Sequence, residues 1–296
     1  MSLDLTGTFV ALYTPFAADG SVDLDAYRAL ARRVADAGVG LVPCGTTGET
    51  PTLTDDEYSA CVRAAVEVSA GRVPVIAGTG SNSTSKTVHT TRHARELGVD
   101  AALVVTPYYN KPPQRSLLAH YRAVADDGGL PVVMYNVPGR TGCNMLPATA
   151  LELAEHPNIL SVKEASGNIS QIQEIIFGAP QGFRVLSGDD GMTLALCLLG
   201  GHGVISVAGN IVPAKMKALV DAALVGDLAN ARALQGQLLP LFGAIFLTAN
   251  PIPVKHAAAL LGQCGAETRS PLTADAMTEP MVVELKAAMA RAGLAV

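Results

Sequence analysis

Apolar and polar positions along this chain switch between two periods. Short apolar runs bounded by Gly, Pro and Asn recur at 8–13, 40–44, 73–77, 101–106, 131–136, 159–164, 183–187 and 203–207, and bounded runs of this kind are strand signals. Between them apolar residues return at helical spacing, as at 23–37, 54–70, 83–97 and 147–156, with Ser, Thr or Asp opening several of these stretches where an N-cap belongs. Successive strand starts lie 20 to 33 residues apart, which leaves room for one crossover helix each. Eight such βα units are the number that closes a barrel. The predicted fold is therefore α/β, a (β/α)8 TIM barrel. Beyond residue 207 the helical period continues without a strand signal, at 214–225, 228–247, 254–261 and 276–292. One of these segments completes the barrel and the others form a C-terminal helical appendage, which divides the chain into a barrel at 1–225 and a helical region packed on it at 226–296.

Composition narrows the function classes. Among 296 residues, 49% are hydrophobic and only 16% charged, against a usual charged share of about 25%, so a large buried core is expected and disorder is not. With 21 Lys+Arg against 26 Asp+Glu and no basic run, the electrostatic footprint of a nucleic-acid binder is missing. Five scattered cysteines without C-x-x-C spacing argue for a reducing compartment and against a disulfide framework. The opening MSLDLTGTFV has no basic segment before an apolar core, and no apolar window is long enough for a membrane span. A cytoplasmic protein without membrane or nucleic-acid partners is expected.

In a barrel the reactive groups sit where strands end and βα loops begin. Those positions hold Gly45-Thr46-Thr47-Gly48-Glu49, Tyr108-Tyr109-Asn110, the segment from Tyr135 to Gly142, Lys163-Glu164 and Ser187-Gly188-Asp189-Asp190. Lys163 stands out among the seven lysines because it lies inside an apolar strand. An amine facing a barrel interior loses solvation, which lowers its pKa and frees it to attack a ketone. The other reading is a strand-end lysine that reaches solvent or pairs with Glu164. Lys255 is the second lysine in an apolar setting, but it lies outside the eight strands, and a structural role is expected for it. Tyr135 ends the strand before that of Lys163, so phenol and amine can share a pocket for proton transfer. Thr46 and Thr47 offer hydroxyls and backbone N–H groups to a carboxylate, although the same sequence also makes an ordinary tight turn.

Weaker signals fall away. Gly78-Thr79-Gly80 departs from the dinucleotide fingerprint at its sixth position, Ser83. His89 and His93 share one helix face without an accompanying carboxylate. Cys44 and Cys143 lack an evident His or Asp partner and read as buried small hydrophobes. Asp189-Asp190 suits a helix cap better than a divalent ion.

Taken together, GTTGE, TPYYNKP, YNVPGRTG, SVKEASGN, LSGDD, GGHGVISV and NPIPVK resemble the dihydrodipicolinate synthase family, from Thr6 to near the C-terminus. The resemblance implies condensation of pyruvate with aspartate 4-semialdehyde in lysine and diaminopimelate biosynthesis. It makes Lys163 the Schiff-base residue and Tyr135 the central acid/base, with Thr47 and Tyr109 completing a hydroxyl relay. It also implies that Thr46 and Thr47 bind the pyruvate carboxylate, that Gly188 and the Ile205 carbonyl line the pocket, and that Arg140 holds the carboxylate of the semialdehyde. No cofactor or metal is expected. In the family the tyrosine matching Tyr109 enters from a neighbouring subunit, which implies a homo-oligomer, usually a tetramer of two tight dimers. The Arg-Thr-Gly pattern and the first Thr of the turn set the synthases apart from related aldolases that cleave sugar acids. Lysine-inhibited relatives hold that amino acid at the dimer interface with an acidic residue and histidines. Here the matching positions hold Lys86, Asp55 and Tyr58, with Asn82 and Tyr108 retained, so weak or absent inhibition by lysine is expected.

Overall fold

The computed structural model describes residues 3–296 and bears out the barrel. Its parallel strands are β1 Gly7–Ala11, β2 Gly40–Val42, β3 Ile76–Gly78, β4 Ala101–Val105, β5 Val132–Asn136, β6 Ile159–Glu164, β7 Arg184–Ser187 and β8 Gly203–Ser206. They are ordered β2-β1-β8-β7-β6-β5-β4-β3. The ends of that order meet at a parallel bridge between Leu41 and Val75. There the Leu41 N–H donates to the Pro74 carbonyl and the Gly78 N–H to the Pro43 carbonyl, each at 2.9 Å. The sequence pattern extends β2 to Cys44 and starts β3 at Val73; the structure shortens both. Pro43 and Pro74 have no N–H to donate, and Cys44 turns to φ 54°, so a regular ladder cannot run through these positions.

The crossover helices are α1 Leu24–Asp36, α2 Asp55–Ser69, α3 Thr84–Glu96, α4 Gln114–Asp127, the single turn α5 Pro138–Thr141, α6 Pro147–Ala154, α7 Ile169–Gly178, α8 Thr193–Leu198 and α9 Pro213–Leu224. Asp23, Thr54 and Ser83 each accept a first-turn amide, and Thr54 with Glu57 makes a reciprocal capping box. Helix α9 is the one that completes the barrel. The appended helices follow as α10 Leu228–Ala244, α11 Ile252–Leu260 and α12 Glu279–Arg291, with α10 packed on α9 and α12. No helix among the described residues is long and apolar enough to cross a membrane.

Alternation along the strands separates two apolar cores. Inward side chains such as Phe9, Val42, Leu103, Val133 and Ile205 fill the barrel. Outward ones such as Val10, Leu41, Val104, Met134 and Val162 pack beneath the helices.

One buried ion pair ties the appendage to a strand end. Lys255 on α11 donates to Glu49 Oε1 at 2.8 Å, with the two side chains 0% and 1% exposed. Glu49 holds a left-handed backbone at φ 54°, uncommon for a residue with a side chain. Its other oxygen accepts the Arg269 N–H at 3.0 Å. This gives Lys255 the structural role expected of it. Removing the cation leaves a carboxylate buried and unpaired, so Lys255→Met is expected to lower the unfolding free energy by about 3–5 kcal/mol in a urea titration. Adding Glu49→Gln to that variant should recover part of the loss.

Candidate active site

The register of β5 and β6 sets Tyr135 beside Lys163. Both face the barrel interior, and the Lys163 Nζ lies 4.4 Å from the centre of the Tyr135 ring. Lys163 is 4% exposed. Burial lowers its pKa to about 8, Asp190 opposes the drop and Arg140 adds to it. Relative to the usual 10.5, this disfavours the ammonium by about 3 kcal/mol. Glu164, one residue on, points to the other side of the sheet. Its carboxylate accepts from the Ser166 N–H at 2.7 Å and from Asn136 Nδ2 at 3.1 Å, so the alternative pairing of Lys163 with Glu164 is not made.

Asp190 is buried, yet it makes no ion pair with the amine within 4 Å. Its Oδ2 accepts the N–H groups of Val207 and Ala208 at 3.0 and 2.9 Å. It therefore clamps the end of β8, a role different from the helix cap that the Asp-Asp pair suggests in sequence. Gly188 is needed for its lack of a side chain. A Cβ there would come within 3.0 Å of Lys163 Cε and 2.7 Å of the Ala165 Cβ, so any larger residue displaces the amine.

Around these groups lies a cavity of about 180 Å³, lined among others by Thr46, Thr47, Tyr135, Arg140, Lys163, Gly188, Phe246 and Asn250. Burial raises the Tyr135 pKa, against the opposing effects of Arg140 and a hydrogen bond with Thr46, so the phenol keeps its proton at neutral pH. Of the two threonines it is Thr46 that acts on the Tyr135 phenol, while the sequence reading names Thr47 for the relay. The reason is local: residues Thr46–Gly48 form a 3-10 turn, in which successive side chains point about 120° apart. Thr47 instead accepts from Asn250 Nδ2 at 2.9 Å. The first N–H groups of such a turn have no acceptor within it, so Thr46 and Thr47 present amides as well as hydroxyls.

Other expected residues fall elsewhere. Ile205 is buried in the barrel two residues before Val207, which lines the cavity while Ile205 does not. Tyr109 is 87% exposed with φ 72° and is not brought to Tyr135 within the protomer. Cys44 and Cys143 are free, buried thiols with raised pKa values, which suits hydrophobic filling. Asn250, Phe246 and Asp190 were missed as site residues. Asn250 stands in the NPIPVK motif, which was the one available signal for it.

A buried amine held near neutrality at the C-terminal mouth of a barrel, with a phenol alongside, is the equipment of an imine-forming lyase. The chain belongs to the dihydrodipicolinate synthetase family, whose model matches residues 4–296. It is 52% identical over 269 residues to the 4-hydroxy-tetrahydrodipicolinate synthase of Thermomicrobium roseum, covering 90% of this chain and 89% of that one. The crystal structure of dihydrodipicolinate synthase from Aquifex aeolicus superposes with a TM-score of 0.94 at 44% identity, over 98% of this chain and 99% of the other. The chloride-inhibited enzyme of Acinetobacter baumannii complexed with pyruvate superposes with a TM-score of 0.96 at 39% identity, over 99% and 100% of the two chains.

The free-amine fraction of Lys163 grows as pH rises through about 8 and falls about tenfold for each unit below it. Borohydride trapping of an α-ketoacid is expected to speed up across that range along a single titration. A rate that is flat from pH 6 to about 9 would contradict the lowered pKa.

Proposed function

We propose that this protein condenses pyruvate with aspartate 4-semialdehyde to give 4-hydroxy-tetrahydrodipicolinate. The observation that carries this reading is the desolvated Lys163 in register with Tyr135 inside a cavity with hydroxyl and guanidinium walls. The Lys163 amine attacks the pyruvate ketone. Tyr135 protonates the departing carbinolamine hydroxyl as water, leaving an imine. Loss of a methyl proton gives an enamine, whose carbon attacks the aldehyde of the second substrate, and the resulting alkoxide takes up a proton. The amino group of that substrate then displaces Lys163, which closes the ring and frees the enzyme amine. No step asks for a metal or cofactor.

Thr46 is the hydroxyl that continues the relay from Tyr135, and Thr47 serves the carboxylate of pyruvate. Gly188 leaves room for Lys163. Arg140, exposed on the single turn α5, holds the carboxylate of the semialdehyde in bidentate fashion. Tyr109 completes the relay from a neighbouring protomer in a homotetramer of two tight dimers. What supports this is its exposure together with a left-handed backbone, a strained conformation typical of functional positions. The scattered free cysteines fit a cytoplasmic location.

Borohydride reduction in the presence of pyruvate, followed by peptide mass mapping, is expected to find a pyruvyl adduct on Lys163. An adduct on Lys255, or none, would overturn the mechanism. Arg140→Ala is expected to lower kcat/KM for the semialdehyde by about tenfold or more while trapping persists, since a charge-assisted contact contributes on the order of 1.5–3 kcal/mol. Equal loss of trapping would make Arg140 a strut instead.

Lysine is expected to inhibit weakly or not at all. Lys86 stands exposed in the first turn of α3, where a carboxylate would be needed for the ligand's α-ammonium, and Tyr58 is buried with its ring 6.3 Å from that of His93. Exchanging attraction for like charge removes about 1 kcal/mol or more on each count. Half-inhibition at submillimolar lysine in a steady-state assay would show a rebuilt site.

A further inference from the structure

We infer that Asn250 is a positioning residue for pyruvate: its side-chain amide holds the Thr47 hydroxyl as a donor toward the substrate carboxylate. This deepens the reading above and rests on pyruvate being the ligand of the Thr46-Thr47 turn. Both side chains line the cavity, and they are 5% and 2% exposed. Asn250 Nδ2 donates to Thr47 Oγ1 at 2.9 Å. A threonine hydroxyl has one hydrogen to give, and because its oxygen accepts from Asn250, that hydrogen is left for another acceptor. A carboxylate offers acceptors alone, so the turn meets it with a hydroxyl already pointed the right way.

The placement of Asn250 is itself enforced. It lies just before α11, and five residues later Lys255 reaches Glu49, two residues past Thr47. Two links, one at the cavity and one buried deeper, therefore join the same pair of segments. The ion pair brings the appended segment against the turn, and the amide bond aims the hydroxyl. An aspartate at this position would do the reverse. It would take the Thr47 hydrogen for itself and set a negative charge beside an anionic substrate.

The test reads the pyruvate concentration that half-saturates borohydride trapping of Lys163, beside the steady-state KM for the semialdehyde. In Asn250→Asp, which keeps the shape, half-saturating pyruvate is expected to rise by about tenfold or more, while the semialdehyde KM stays within about twofold. Asn250→Ala is expected to raise it by about threefold or more, and to add nothing once Thr47→Val is present, because the two residues act as a unit. An Asn250→Asp protein that traps with unchanged pyruvate dependence overturns the proposal, since its carboxylate would then be accepting from Thr47 at no cost. So does a folded variant that traps at no pyruvate concentration, which would assign Asn250 to the lysine instead. Additive effects of Asn250→Ala and Thr47→Val overturn it as well, and this arm stands if the aspartate variant fails to fold. Should the unmodified protein trap no pyruvate, it is the proposed function that fails.

Discussion

Holding an amine out of water without a contacting counter-ion is the constraint that organises this site. Lys163 lies in the barrel interior among inward side chains, and burial there costs its ammonium form about 3 kcal/mol. A carboxylate in contact would oppose that effect and hold the amine in an ion pair. The acid that faces the lysine, Asp190, has one oxygen engaged by two backbone amides at the end of β8, and acts on Lys163 only from a distance. Arg140 pushes in the opposite direction. The second buried lysine shows the other solution. Lys255 meets Glu49 at 2.8 Å and serves the fold: burial lowers its pKa too, but the touching carboxylate opposes that drop and occupies the amine.

The helices after α9 contribute to the cavity rather than merely covering the barrel. Phe246 and Asn250, both C-terminal to α10, line it. The Glu49–Lys255 pair anchors this segment to the turn after β2, and the Glu57–Arg269 pair at the start of α2 adds a second anchor nearby. Strand ends in a barrel are bound to it on one side only. Here the turn after β2 is held on the other side by residues about 200 positions away in the chain.

Much of the fold is legible in the sequence because its determinants are local. Apolar runs, N-caps such as Asp23 and Thr54, and the spacing of strand starts each act within one βα unit, and together they imply closure. Lys163 is legible for the same reason: a cation inside Ile159-Leu160-Ser161-Val162 breaks the pattern of its own strand. The choice between Thr46 and Thr47 is not, because it depends on a 3-10 turn that rotates neighbours by about a third of a circle. Asp190 and Asn250 escape for a different reason. Their partners, Val207, Ala208 and Thr47, are brought to them by tertiary packing, and no sequence period records which side chain an amide will meet. The shortened β2 and β3 were readable in principle, since Pro43 and Pro74 mark the missing donors.

Those prolines also make the ring of strands uneven. Neighbouring strands elsewhere share ladders of two to five residue pairs, the longest between β5 and β6, while β2 and β3 meet through one bridge and two flanking hydrogen bonds. Opening free energy in a folded protein is lowest where the fewest hydrogen bonds must part together. In this barrel that seam lies directly beneath the turn carrying Thr46 and Thr47. Amide protons of Leu41 and Gly78 should therefore exchange with solvent sooner than those of β5 and β6, and the wall of the cavity with the most freedom to yield is the one that carries the hydroxyls, opposite a lysine set in the most fully bonded strands.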